Sequence, residues 1–485
     1  MWNGLWSTTH YWKFITSKWG EEIIAEIFSN IKYKRDLNKG LEKSLGISIK
    51  ELSSQWHQHL KRRYWPDIEN REDIKDIARQ LTNHVELHNS YNIAPSISPS
   101  GEQIAMYSNK DGEMAIYLIS SQDGKFLSKI AMGQVSSEFE ELHILKPGIT
   151  WSPDGDQLAF AVKSGNSDAL VIIDVKNPKN RKLKKFDVEG IFRPSWNPIN
   201  NKIAFIGYNN FSSDVFIYDI DNNELMQLTN DTFSDIQVSW APDGKTLLVV
   251  SDRGPNIVSK SNLDIISIVG NKFDNYDIYK LDLNNNLERL TETPFNESFP
   301  QYSPDGNKIA FISDESGINN IYITEDHFQS YQNLTDVLTG ITQLDWYTDS
   351  QIIFTGFYLS GYDIFSISDI DNKLRNTNDI SIANWKKDPH YNLLRKSKEY
   401  APNTDLNYLR KYQFTEDYNL VFSEKNESEK IIYTDSTGMH VPHKYKTKYT
   451  LDYAGAQFFY DIIAKLCDWA WKLSHQTISN PSQEQ

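Results

Sequence analysis

Two histidines four residues apart are the nearest that this sequence comes to a catalytic metal motif. They lie in the segment His84-Val-Glu-Leu-His88. A zinc-peptidase helix of the His-Glu-x-x-His type needs a glutamate directly after the first histidine as general base, and Val85 stands there instead. We place the segment in a strand connection, where alternation puts residues 84, 86 and 88 on one face. An adventitious metal site is one interpretation of that face, but we expect a structural role.

Other residue patterns that support catalysis are missing from the sequence. It has no Gly-x-Ser-x-Gly nucleophile motif, no Gly-rich phosphate loop and one cysteine, Cys467, which excludes a Cys-based zinc cluster. Asp154, Asp243 and Asp305 each stand in a Pro-Asp-Gly turn, so we assign them to turn formation. We therefore predict no catalytic residue, no cofactor or cofactor-binding residue and no metal ligand. The pattern does not identify the residues that bind a partner.

Composition and charge limit the class of protein. The chain has 485 residues, of which 39% are hydrophobic and 13% aromatic, enough to form a sizeable core and to exclude wholesale disorder. Its net charge of −15 argues against a general nucleic-acid binder, which needs a basic surface. No apolar run approaches the roughly 18–20 residues needed to cross a bilayer, so we predict no transmembrane segment.

One internal repeat organises the chain. An aromatic or aliphatic residue is followed by Ser-Pro-Asp-Gly, or a variant of it, and then by a short apolar run. The copies begin at Ile97, Trp151, Trp196, Trp240, Tyr302 and Trp346. Successive anchors are 44 to 62 residues apart, and a four-stranded propeller blade takes about 40–50 residues. The repeat predicts a mainly β fold of six blades, with the four anchor tryptophans in the blade cores.

The pattern within each repeat predicts four strands. The Pro-Asp-Gly segment forms a tight turn between the first two strands, because Pro fixes φ and Gly tolerates a positive φ. An alternating stretch such as residues 214–219 predicts the third strand. A Leu-Thr pair, as at Leu228-Thr229, marks the fourth strand, and in three repeats the threonine precedes the next anchor by 11 residues.

The last blade lacks this Leu-Thr pair, and a spare copy, Leu81-Thr82, precedes the first repeat. A ring must complete its last blade from the other end of the chain, since an open strand edge invites aggregation. We therefore predict that residues 79–83 form the outer strand of the blade that contains Trp346.

The repeat resembles that of TolB-like six-bladed propellers, a WD-like repeat, over residues 79–370. The resemblance implies a periplasmic or cell-envelope scaffold for protein interactions. Within the chain itself, residues 1–13 carry no recognisable signal peptide. The departures from the family pattern are degenerate turns at residues 199–201 and 348–350 and a long insert at residues 253–273.

Two flanking segments complete the predicted organisation. Residues 1–76 are expected to be α-helical, over 12–28, 37–45 and 49–64, and resemble the helical tail of peptidase MA-like metallopeptidases without their zinc motif. Residues 77–370 form the propeller. Residues 371–485 form an irregular extension with linkers, short strands and an apolar helical stripe at 458–469. Within it, residues 445–453 resemble the junction that precedes an outer-membrane-type barrel.

The leading hypothesis for function is a non-catalytic propeller scaffold that binds a protein or peptide at its funnel or across one face. One alternative is an inactive fragment of a larger propeller-containing metallopeptidase or outer-membrane fusion protein, which an in-frame zinc motif upstream would support. The other is a propeller hydrolase or lyase with carboxylates in the channel. The sequence does not distinguish the binding face or the oligomeric state.

Overall fold

The computed structural model describes residues 2–133, 139–209, 212–256, 273, 275–325, 328–348, 351–376 and 380–387. Cys467, the apolar stripe at 458–469 and the junction at 445–453 lie outside the described residues. The described chain divides into two compact units, one ending at Tyr64 and one spanning Trp65–Lys387. None of the helices in these ranges is long and apolar enough to cross a membrane.

The N-terminal unit is helical and has its own core. Its helices are α1 (Trp2–Trp19), α2 (Ile23–Lys34), α3 (Leu37–Leu45) and the first part of α4 (Ile49–Asn70). Ile27, Leu41 and Trp56 are buried together in this core. The prediction of one helix over residues 12–28 is wrong, because Gly20 adopts a φ of +87° and ends α1.

Six antiparallel sheets follow, and each is one blade of a propeller, which confirms the predicted fold class. Blade one contains β2 (Asn92–Ile97), β3 (Gln103–Asp111), β4 (Glu113–Ser120) and β5 (Phe126–Met132); blade two contains β6 (Glu141–Leu142), β7 (Ile149–Trp151), β8 (Gln157–Ser164), β9 (Ser167–Asp174) and β10 (Arg181–Lys184); blade three contains β11 (Gly190–Trp196), β12 (Lys202–Asn209), β13 (Ser212–Asp219) and β14 (Glu224–Gln227). Blade four contains β15 (Asp235–Trp240), β16 (Thr246–Ser251), β17 (Asp277–Asp282) and β18 (Leu287–Arg289); blade five contains β19 (Glu297–Tyr302), β20 (Ile309–Ser313), β21 (Asn320–Thr324) and β22 (Tyr331–Asn333); blade six contains β23 (Ile341–Thr348), β24 (Gln351–Tyr358) and β25 (Gly361–Ser368).

The ring closes as predicted. The fourth strand of blade six is β1 (Arg79–Gln80), which pairs with β25 in the register Arg79↔Ser366 and Gln80↔Phe365. Helix α5 (Ile74–Ile77) precedes this strand and helix α6 (His84–Leu87) follows it. The N-terminal end of the propeller sequence thereby completes its last blade.

The Leu-Thr pair has a defined role at the blade edge. Its threonine hydroxyl accepts a hydrogen bond from a backbone N–H at the start of the third strand, at 2.8–2.9 Å in four blades. The four threonines are Thr229, Thr291, Thr335 and Thr82. Thr82 makes this bond to Ile364 across the closure, which explains why the spare copy belongs to blade six.

The Pro-Asp-Gly turns are built by their aspartates, as predicted. Asp154 Oδ1 accepts hydrogen bonds from Ser152 Oγ at 2.5 Å and from the Asp156 N–H at 3.0 Å, and these bonds lower the pKa of its carboxyl. Asp305 makes the equivalent bonds within its own turn. Gly155 takes the positive φ, +75°, that the turn requires.

Blade five has features that the repeat pattern does not predict. Helix α7 (Ile370–Lys373) leads into β26 (Arg375–Asn376), which pairs with β22 as a fifth strand. Beside it, Arg71 is buried and donates hydrogen bonds to Asp336 and to the carbonyl of Ser381. The segments that precede and follow the propeller in the sequence therefore pack into the same blade.

Candidate functional site

The first strands of all six blades surround a central cavity of about 420 Å³. Trp151, Trp196, Trp240 and Trp346 line it from the anchor positions while remaining only 5–7% exposed. The indole Nε1–H of Trp151 donates to the Ser96 carbonyl at 2.9 Å, in the neighbouring blade. Trp240 bonds to the Ser195 carbonyl in the same way, at 3.1 Å. The tryptophans therefore pack in the blade cores, as predicted, and two of them also join adjacent blades.

One position per blade, three residues before each anchor, contributes to this lining. The six residues are Ala94, Gly148, Arg193, Gln237, Phe299 and Gln343. In blades one, three and five this residue precedes a proline and adopts a left-handed φ of 50–54°. The first strands of these blades carry an irregularity in register at the same place. Alternate blades therefore present two different backbone conformations to the cavity.

The two glutamines at this position connect neighbouring blades. Gln343 Oε1 accepts a hydrogen bond from the Ala94 N–H at 2.6 Å, and Gln237 Oε1 accepts one from the Phe299 N–H. Blade two has Gly148 instead, where an added Cβ would meet the Arg193 Cα at 2.7 Å. The two glutamines therefore join neighbouring blades. Their side-chain oxygens are already hydrogen-bonded, so less of their polar surface is available to a ligand.

Arg193 and Asp345 are the charged residues among the described residues that line the cavity. Asp345 Oδ2 accepts a hydrogen bond from the Ile97 N–H at 2.8 Å, and burial raises the pKa of its carboxyl to about 6. The guanidinium carbon of Arg193 lies 4.3 Å from the ring centre of Phe299, and burial lowers its pKa to about 10. The cavity therefore combines aromatic walls with one engaged carboxylate and one stacked cation.

Comparison with known proteins assigns the repeat. A family model described as the TolB beta propeller domain, PD40, matches residues 140–263. The six-bladed propeller of this chain is TolB-like. The Tol-Pal system protein TolB of Bordetella pertussis is 26% identical over 168 residues, which are 35% of this chain and 34% of the relative. TolB of Bordetella parapertussis gives the same values. The chain thus spans about a third of the length of the curated relatives it matches.

Solved structures of lower sequence identity are also similar to this chain. The putative TolB from Agrobacterium tumefaciens is 17% identical with a TM-score of 0.42, covering 57% of this chain and 90% of that one. Oligogalacturonate lyase from Vibrio parahaemolyticus is 14% identical with a TM-score of 0.40, covering 61% of this chain and 94% of that one.

The histidine pair of this TolB-type propeller has a structural setting. The segment lies in the connection between β1 and β2, as predicted, but the strand-like alternation expected for residues 84, 86 and 88 is wrong. Asn83 Oδ1 accepts the N–H groups of Val85 and Glu86 and begins helix α6. His84 Nδ1 lies 2.6 Å from Asp363 Oδ2 and is buried, whereas His88 ends the helix with a left-handed φ. In the part of the chain that the structure describes, no group of three or more His, Cys, Asp or Glu residues could hold a metal ion.

Sequence reasoning missed a buried charge cluster between blades three and four of the TolB-type propeller. Arg253 is fully buried and donates to Asp231 at 2.8 Å, to Asp235 at 2.6 Å and to Ser251 Oγ at 3.0 Å. Burial alone would lower the pKa of Arg253, but the two aspartates raise it overall. The signal in the sequence was a basic residue placed two positions after the end of the second strand, in Ser251-Asp-Arg253.

Two further carboxyls of this cluster have raised pKa values. Burial, followed by the charge of Asp235, raises the pKa of Asp214 to about 7. Burial likewise raises the pKa of Asp252 to about 6. The cluster lies within the blades and its members bind one another, so it connects blades three and four and is not a surface for a ligand.

Proposed function

We propose that this chain is a non-catalytic TolB-type propeller of the bacterial cell envelope, located in the periplasm. In this proposal it binds an extended segment of a protein partner, or a peptide, in its central channel. The observation that carries the proposal is the cavity of about 420 Å³ to which all six blades contribute. Specific small-ligand sites in proteins are typically about 300–1,000 Å³, so the channel has room for several side chains of a peptide.

Two considerations support this function. The relatives are named as Tol-Pal system proteins, which favours an envelope location and a protein partner. The lining also favours binding over glycoside hydrolysis, which commonly uses two carboxyl groups. Among the described lining residues the carboxylate is that of Asp345, and it already accepts the Ile97 N–H. The metallopeptidase resemblance of residues 1–76 stays a prediction.

Site-specific photo-crosslinking in living cells tests the binding face. Gln301, which lines the channel, is replaced by p-benzoylphenylalanine. The matched control places the same group at Leu225 on the outer strand β14, a side chain that is 39% exposed. We expect a discrete crosslinked partner, identified by mass spectrometry, from position 301 alone. Crosslinks from position 225 alone, or none from either, would contradict channel binding.

A separate measurement tests the non-catalytic part of the proposal. The purified chain is screened for hydrolase and lyase activity with added zinc and calcium. We expect no turnover above that of a heat-denatured sample. Turnover that EDTA abolishes would contradict this part and would favour a propeller enzyme.

A further inference from the structure

Arg193 is chemically unlike the residues that share its place in the ring. Its equivalents in the blades with the same backbone conformation are Ala94 and Phe299, both apolar. The repeated conformation therefore does not require an arginine. A positively charged side chain at this position is a feature of this channel and not of the fold.

The guanidinium of Arg193 is held by stacking and is not neutralised by a neighbour. Its central carbon lies 4.3 Å from the ring centre of Phe299. Burial accounts for its lowered pKa, and no hydrogen bond or ion pair joins the side chain to another of the described residues. By contrast, Arg71 and Arg253 are each paired with an aspartate. Stacking occupies the face of the guanidinium, so its edge N–H groups remain available as donors.

A second cation lies close to Arg193. Lys146 Nζ lies 4.2 Å from the ring centre of Phe192, the residue before Arg193. Burial and then the charge of Arg193 lower the pKa of the Lys146 amine. In a chain with a net charge of −15, Arg193 is the positively charged residue among the described residues that line the channel.

We propose that Arg193 is the anchor for a carboxylate of the peptide that occupies the channel. This inference rests on the proposed function. The planar fork of a guanidinium matches a carboxylate with two parallel hydrogen bonds, and such bonds are strong where water is partly excluded. The carboxylate belongs to an Asp or Glu side chain or to the C-terminus of the peptide.

The test uses a displayed library of random 12-residue peptides, selected on the wild-type chain. Selected peptides are synthesised with free-acid and amidated C-termini and with each acidic side chain changed to its amide. Affinities are measured for the wild type, Arg193→Gln and Lys182→Gln. Lys182 is exposed on the outer strand β10, so Lys182→Gln removes one positive charge at a position away from the channel.

We expect every selected peptide to contain one carboxylate whose loss weakens binding to the wild type by about 10- to 150-fold, the range for a charged hydrogen bond. Arg193→Gln should weaken binding similarly, and losing both groups should add little further. Lys182→Gln should have no effect. The peptide substitutions on the wild-type chain keep the inference testable even where Arg193→Gln folds poorly.

The outcomes separate the two proposals. Peptides that bind the wild type and Arg193→Gln equally would overturn the carboxylate anchor and leave channel binding intact. A wild-type chain that selects no peptide would overturn the proposed function and this inference with it. Binding of a tri-uronate that depends on Arg193, with no peptide bound, would assign the arginine to acidic saccharides and also overturn the inference.

Discussion

Asp214 shows how far burial changes a single carboxyl in this propeller. It is buried in β13 and lies beside Asp231, Asp235 and Arg253, whose guanidinium is already bound by two aspartates. Its pKa rises from the ordinary value of 3.8 to about 7. The folded chain therefore retains a proton near neutral pH that the unfolded chain releases.

This shift predicts a pH dependence of stability. Because the folded-state pKa exceeds the unfolded one, protonation of Asp214 stabilises the folded state fully below about pH 4, and this stabilisation is lost as the pH rises through about 7. We expect the free energy of unfolding to fall less steeply from about pH 5 to about pH 8 in Asp214→Asn than in the wild type.

Urea unfolding at several pH values measures this difference. Asp252 and Glu297, whose pKa values burial also raises, titrate in both proteins, so the difference between the two curves isolates Asp214. Asp219→Asn is the matched control, because hydrogen bonds from Asn222 lower the pKa of Asp219 at the other end of the same strand. Parallel curves for the wild type and Asp214→Asn would contradict the raised pKa of Asp214 in the folded chain.

At the scale of the elements, the closing strand packs tightly against blade one. Gly124 has a φ of +71°, and a Cβ added there would lie 1.8 Å from the carbonyl oxygen of Leu81. Leu81 donates its N–H to Ile364 in blade six. A side chain at position 124 therefore has to displace the segment that closes the ring.

We expect Gly124→Ala to destabilise the propeller more than Gly112→Ala. Both glycines have a positive φ, but a Cβ at Gly112 meets no atom within 4 Å. The backbone penalty alone is about 1–2 kcal/mol, and only Gly124→Ala adds the clash. Chemical denaturation measures both, and equal losses of stability would contradict the closure geometry.

Arg71 connects the segment before the ring to blade five. In blade four, Arg253 follows the second strand and pairs with aspartates. Blade five has Glu315 at the equivalent position, and Arg71, from the segment before the ring, pairs with Asp336 instead. Removing one partner of a buried ion pair typically costs about 3–5 kcal/mol. We expect Arg71→Met to lower the free energy of unfolding by about that much, and Arg62→Met, an exposed control, to change it little.

A double variant checks the cause of that loss. In Arg71→Met combined with Asp336→Asn, no uncompensated carboxylate remains, so part of the stability should return. A double variant that is less stable than Arg71→Met would show that packing of the arginine, and not its charge, dominates.

The repeated elements were predictable because their signals are local. Fixed spacing marks the turn aspartates, the anchor tryptophans and the Leu-Thr pairs. The spare pair, Leu81-Thr82, was enough to predict how the ring closes. Arg71, β26 and the stacking of Arg193 on Phe299 join segments far apart in sequence, so no local pattern reveals them. The helix at His84 was missed although Asn83 is a standard helix-capping residue.

At the scale of the whole molecule, six nearly equivalent strands enclose a channel whose chemistry is not equivalent. The glutamines of two even-numbered blades are used to join neighbours, and Asp345 is bonded to the backbone of blade one. The part of the lining near Arg193 differs, because the guanidinium of Arg193 stacks on the aromatic ring of Phe299. The ring of blades supplies the scaffold, and this part of the lining supplies the asymmetry that a directional ligand such as a peptide needs.

Calorimetric titration of a selected peptide into a plugged channel tests the central claim most directly. With Cys467 replaced by serine, Gln301→Cys is alkylated with a bulky maleimide to fill the channel, and Leu225→Cys carries the same group on the outer strand β14. We predict one peptide per chain for the Leu225→Cys adduct and no binding for the Gln301→Cys adduct. Equal binding by the two adducts would contradict the central channel as the binding site.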